Sequence, residues 1–133
     1  MEDVPELTQL PVRSLLEWSP FEYHVWSEFK RPITRAEVSH RIQLGDFEAN
    51  PYDLSKISWR RKDHIRRVAY LVVNPSGDPI DIDVGVPALG CYVPWPVRNG
   101  YHRLGAAIYR MDEFIPINFS GDLGYAVELF GLS

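Results

Sequence analysis

The sequence predicts one small α/β (α+β) domain, and three observations predict it. A chain of 133 residues with 45% hydrophobic composition holds enough apolar material for one core and is too short for two. Ile80-Asp81-Ile82-Asp83-Val84 alternates at the period of a strand, whereas Leu104, Ala107, Ile108 and Met111 recur at the period of a helix. Helical and extended patterns also take turns along the chain instead of segregating into halves, as they do when helices are laid on a sheet.

Residues 1–32 interleave Pro5, Pro11, Pro20 and Pro32 with Leu15, Leu16, Trp18, Phe21, Tyr23, Trp26 and Phe29. That mixture is too broken for a long helix and too apolar for disorder, so it is expected to pack as an irregular segment on the domain formed by residues 33–133. An aromatic surface for a protein partner is the other reading of the same residues. Thr34 and Glu37 stand at capping-box spacing and Gly45 supplies a left-handed stop, which predicts a short helix between them. After the turn signal Asn50-Pro51, Ser58 is expected to cap a second helix that buries Trp59, Ile65, Val68, Ala69, Leu71 and Val72 and ends near Asn74.

Ile80, Ile82 and Val84 should face a core while Asp81 and Asp83 face away. Tyr92 to Arg98 reads as a further strand, demoted to an edge or an irregular stretch by Pro94 and Pro96. The helix carrying Leu104 to Met111 follows, then a strand over 114–119, and Ser120 or Asp122 caps a last helix stopped by Gly131.

Eighteen acidic residues against fourteen basic ones leave a net charge of −4, so no global positive field draws this chain onto a polyanion. Cys91 is the sole cysteine, which excludes an internal disulfide and a multi-cysteine metal site; it is expected as a small buried apolar residue. His24 and His40 lack partners at metal spacing and read as structural. With no apolar run suited to a signal peptide or a membrane span, the expectation is a cytoplasmic protein without a membrane partner.

One stretch points to chemistry. Arg98-Asn99-Gly100 joins a strand to a helix, whose unpaired N–H groups make its start a favourable place for an anion. Gly100 lets the backbone come close, Arg103 adds a planar cationic fork, and His102 can donate a hydrogen bond or carry a proton. Asn99, Gly100, Tyr101, His102 and Arg103 are therefore the expected phosphate-binding residues.

Pro79-Ile80-Asp81-Ile82, Asn99-Gly100-Tyr101-His102-Arg103-Leu104-Gly105-Ala106-Ala107 and Ile115-Pro116-Ile117 occur in that order. Over residues 46–119 the chain thereby resembles the superfamily of ParB N-terminal domains and sulfiredoxins, whose G-x-x-R turn wraps nucleotide phosphates. The resemblance implies a mixed sheet flanked by helices and a nucleoside triphosphate, ATP or CTP, as ligand, with Mg²⁺ as an accompanying ion. Sulfiredoxins carry their catalytic cysteine where this chain has Tyr101, so sulfinic-acid reduction is not expected. The free-serine kinases of the superfamily have Asp where this chain has Asn99, and a carboxamide neither holds a metal nor accepts a proton well. A full ParB clamp adds a helix-turn-helix domain after its nucleotide domain, for which 133 residues leave no room, so a complete partition protein is not expected either. The nearest branch is that of small stand-alone plasmid-type members such as Osa, associated with ATPase and DNase activity.

The leading expectation is an NTP hydrolase or phosphoryl-transfer protein with His102 assisting proton transfer and Asp46 or Glu48 as a catalytic carboxylate. Asp81 and Asp83 share one strand face and could hold Mg²⁺, although alternate acids on a strand also serve as its solvated face. Arg60, Arg61, Arg66 and Arg67 belong to the main basic cluster, which reads either as a solvated helix face or as a contact for nucleotide or DNA phosphates. A DNA-binding or nuclease effector of plasmid or phage origin, and a catalytically inactive adaptor that binds protein through residues 1–32, are the alternatives.

Overall fold

In the computed structural model, which describes residues 7–26, 31–50 and 59–132, four strands form a mixed sheet with one buried face, giving an α+β fold. The strands are β1 (Gln9–Pro11), β2 (Ile80–Asp83), β5 (Val97–Asn99) and β6 (Phe114–Ser120), in the order β1-β6-β2-β5. β2 runs parallel to β6, with Ile80 opposite Ile117, and antiparallel to β5, with Asp81 opposite Asn99. The period-two pattern decides the faces: Ile80, Ile82, Ile115 and Ile117 are buried, while Asp81, Pro116 and Asn118 lie on the open side. β3 (Gly85–Val86) and β4 (Cys91–Tyr92) form a separate small hairpin.

The helices are α1 (Arg35–Leu44), α2 (Arg61–Val73), α3 (Tyr101–Arg110) and α4 (Leu123–Phe130). α3 is the centre of the fold. Leu104, Ala107 and Ile108 join the sheet's apolar cluster, while Ala106 joins the cluster of Val38 from α1 and Ile65, Val68, Ala69 and Leu71 from α2. Gly105 of α3 packs between Pro20 and Val68: a Cβ there would crowd Pro20 Cγ at 3.0 Å and stand in ordinary contact with Val68 at 3.5 Å. Among the described residues no helix is long and apolar enough to cross a membrane.

Several local expectations hold. Thr34 and Glu37 form the reciprocal capping box of α1, Gly45 ends it in the left-handed conformation, and Asp122 caps α4 by accepting the Tyr125 N–H. Others are corrected by tertiary contacts. The segment before residue 32 is less irregular than expected, because β1 pairs with β6 and the following 3-10 turn (Val12–Trp18) buries Leu15 and Trp18. Pro94 and Pro96 split the anticipated strand 92–98 into β4 and β5. α2 begins at Arg61, with Asp63 accepting the Arg60 N–H at 2.8 Å, and Trp59 precedes the helix. Ser58, like Pro5, Phe29 and Pro51, lies outside the described residues. Met111 is the left-handed C-cap of α3 and is exposed, and Cys91 is exposed on β4.

Candidate functional site

β5 delivers the chain to the start of α3 at the edge of the sheet. Gly100 makes the corner with φ 100°, and a Cβ there would lie 2.5 Å from Ile80 Cγ2, so the fold demands glycine both for its backbone angle and for its contact with β2. The Leu104 N–H makes the first helical bond, to Gly100 O at 2.9 Å. The N–H groups of Tyr101, His102 and Arg103 precede that ladder and form the partly positive end of the helix.

The three side chains of this turn go to different places. Tyr101 donates its hydroxyl to Val97 O at 2.6 Å, and burial raises its pKa against the opposing effects of Trp95 and Arg98. Arg103 donates from Nη1 to Pro79 O at 2.8 Å, which ties the turn to the entry of β2. It also borders a cavity of about 40 Å³ with Ser76, Asp78, Arg110 and Asp112, which has room for ordered water and not for a nucleotide. His102 turns the other way, toward α2, where its Nε2 lies 2.7 Å from Nδ1 of the buried His64.

The two imidazoles are nearly coplanar, at 11°, and the indole of Trp26 stacks on both with ring centroids 4.2 Å from His64 and 4.9 Å from His102. Trp59 approaches both at a tilt, 5.3 and 5.6 Å away. Burial, followed by the positive charges of His64, Arg67 and Arg103, pushes the His102 pKa down to about 3. That shift favours the uncharged ring at neutral pH, in which His102 can still donate a hydrogen bond. With His102 neutral the contact is satisfied when an N–H of one imidazole donates to the bare nitrogen of the other.

No protein-family model, curated protein or solved structure matches the chain.

The other expected site residues lie elsewhere. Asp46 is held between Arg41 at 2.5 Å and Arg66 at 2.7 Å. Burial raises its pKa, but the hydrogen bonds from the two arginines outweigh that and leave it below the usual carboxylate range. Glu48 is buried 3.8 Å from Arg66 and accepts the Asn50 N–H. Asp46 is engaged with Arg41 and Arg66, and His102 with His64 and Trp26.

The basic cluster is largely internal. Arg61 grips Glu37 and the Pro32 carbonyl, Arg66 joins Asp46, Asp63 and the Phe47 carbonyl, and Arg67 donates to the carbonyls of Glu48 and Ala49. These bonds bind α2 to the segments after Pro32 and Gly45. Arg60 is exposed. Asp81 accepts from the Asn118 amide at 3.2 Å and Asp83 from the Gly85 N–H at 2.9 Å; no group of three acidic, histidine or cysteine side chains at metal distance occurs among the described residues.

Sequence reasoning missed His64 as the partner of His102, and the two tryptophans over them. Thirty-eight positions separate the histidines, and no local period links them. It also missed an open cleft of about 330 Å³ lined by Tyr23, His24, Val25, Trp95 and Tyr101, whose walls come from three separate stretches of chain.

Proposed function

We propose that the chain binds a nucleoside triphosphate, ATP or CTP, by its phosphates at the turn from Asn99 to Arg103. The membership suggested by the G-x-x-R stretch, in the ParB and sulfiredoxin superfamily, is part of this reading. One observation carries it: the Gly100 corner ends β5 against the start of α3, whose first turn holds Arg103, and the charges of His64, Arg67 and Arg103 add to burial in lowering the His102 pKa there. Those charges and the N–H groups of the helix start act in the same direction. Such a place favours an anion.

In the proposed complex, the N–H groups of Tyr101 to Arg103 take phosphate oxygens, and the remaining nitrogens of Arg103 supply the fork. A phosphate at the helix start opposes the charges that add to burial in lowering the His102 pKa, and so raises the proton affinity of the ring proposed to assist proton transfer in hydrolysis or phosphoryl transfer. Mg²⁺ would ride mainly on the phosphates, with Asp81, opposite Asn99 in the sheet, as the nearest carboxylate in register. The exposed thiol of Cys91 suits a cytoplasmic setting. A DNA-directed role has no comparable support, since the arginines of α2 are engaged within the fold.

The test is a thermal-shift series with ATP, ADP, CTP and GTP, with and without Mg²⁺, followed by calorimetry on Arg103→Ala. A triphosphate should raise the unfolding temperature of the native chain, and Arg103→Ala should lose at least about tenfold in affinity. Unchanged affinity in a folded Arg103→Ala protein would remove the assignment.

A further inference from the structure

We infer that the cleft walled by Tyr23, Trp95 and Tyr101 receives the heteroaromatic base of the nucleotide; this rests on the phosphate reading of the turn beside it. Tyr101 joins the two places, because it is the first residue of α3 and also one wall of the cleft. Its ring is fixed by the hydroxyl bond to Val97 O at 2.6 Å and by a hydrogen bond with Trp95. The cleft measures about 330 Å³, within the range of small-molecule sites of roughly 300–1,000 Å³.

Its lining favours a flat, polar-edged ring over an aliphatic ligand. Four of the five residues are aromatic or imidazole side chains, and Val25 is the sole aliphatic one. Tyr23 and Trp95 meet edge to face at 5.1 Å and 86°, so the ring that presents its edge keeps both faces clear of the other, and Tyr23 is 46% exposed. Aromatic faces of this kind stack on any base, and the Tyr23 hydroxyl and the His24 imidazole add polar groups for a base's edge. Arg98 is close enough to lower the Tyr101 pKa against burial, and it makes no hydrogen bond or ion pair among the described residues.

Calorimetry with ATP, CTP and inorganic tripolyphosphate on the full chain, on Tyr23→Ala and on Trp95→Leu separates the two claims. Base stacking predicts that each variant loses about tenfold in affinity for the preferred nucleotide and keeps its affinity for tripolyphosphate. If the native chain binds tripolyphosphate as tightly as either nucleotide, or if the variants bind nucleotide normally or lose both ligands alike, the base site is wrong while phosphate binding stands. If the native chain binds none of the three, the phosphate reading falls and the base site falls with it.

Discussion

Arg66 on α2 sits among three carboxylates, 2.7 Å from Asp46, 3.4 Å from Asp63 and 3.8 Å from Glu48, whereas His102 on α3 pairs with a second histidine, His64, under Trp26, and the charges of Arg67 and Arg103 add to burial in lowering its pKa. Both regions look basic as strings of letters. In space the first is a neutralised clamp that holds the chain after Gly45 onto α2, and the second is a buried imidazole pair at a helix start, the place proposed above for an anion. A basic cluster therefore reveals little about binding until its counter-charges are placed. On the proposed reading, the positions of the carboxylates are what separates the two regions as places for an anion.

The largest effect should come from the turn itself. Gly100→Ala forces a side chain into Ile80 at a backbone angle that suits glycine, and strain plus overpacking should cost about 4 kcal/mol, read as a fall in chemical-denaturation stability. A cost below about 1 kcal/mol would show that the corner is softer than its geometry implies. Next, Arg66→Ala leaves Asp46, Glu48 and the buried Asp63 facing one another without their common cation. Partial exposure of the cluster tempers the loss to about 2–3 kcal/mol, and nucleotide affinity should not change, because the clamp is structural.

Acid should separate the two regions. His102 has a folded pKa of about 3 against an ordinary value of 6.5, so the unfolded chain binds the extra proton first. Its unfavourable contribution is absent above pH 6.5 and grows as pH falls toward 3, by up to about 1.4 kcal/mol per pH unit. The clamp behaves as ordinary salt-bridged acids do. Glu37, lowered by its hydrogen bond with Arg61, and Asp46, lowered by Arg66 and Arg41 against burial, stabilise the fold above the usual carboxylate range, and that contribution disappears as pH drops through their depressed pKa values. His102→Gln should flatten the stability profile between pH 6.5 and 4.5 and leave the steeper acid limb in place. A profile with an unchanged slope in that window would contradict the assignment. The smallest effect belongs to the solvent-facing charges of α2: Arg60→Ala with Lys62→Ala should shift stability by no more than about 0.5 kcal/mol and leave nucleotide affinity alone.

Much of the fold was legible because its signals are local. The Thr34–Glu37 box, the alternation of Ile80 to Val84, the stripe of α3 and the Asp122 cap each specify their element within a few residues. β1 was not legible, since three residues have no period and its pairing with Phe114 to Pro116 is set across the whole chain. Met111 falls at the right spacing for the core, yet α3 ends there and the left-handed backbone turns its side chain outward. The start of α3 was visible in Asn99 to Arg103, but its surroundings were not: the pairing of His102 with His64, and the stacking of Trp26 on both, exist only after α2 and α3 have packed.

The most direct test of this contrast is a titration of isotopically labelled protein with ATP, followed through its N–H resonances by NMR. The backbone N–H groups of Tyr101, His102 and Arg103 should show the largest shifts, while the guanidinium Nε–H groups of Arg61 and Arg66 stay in place. Shifts concentrated on the arginines of α2, with the start of α3 unmoved at saturating ATP, would contradict it.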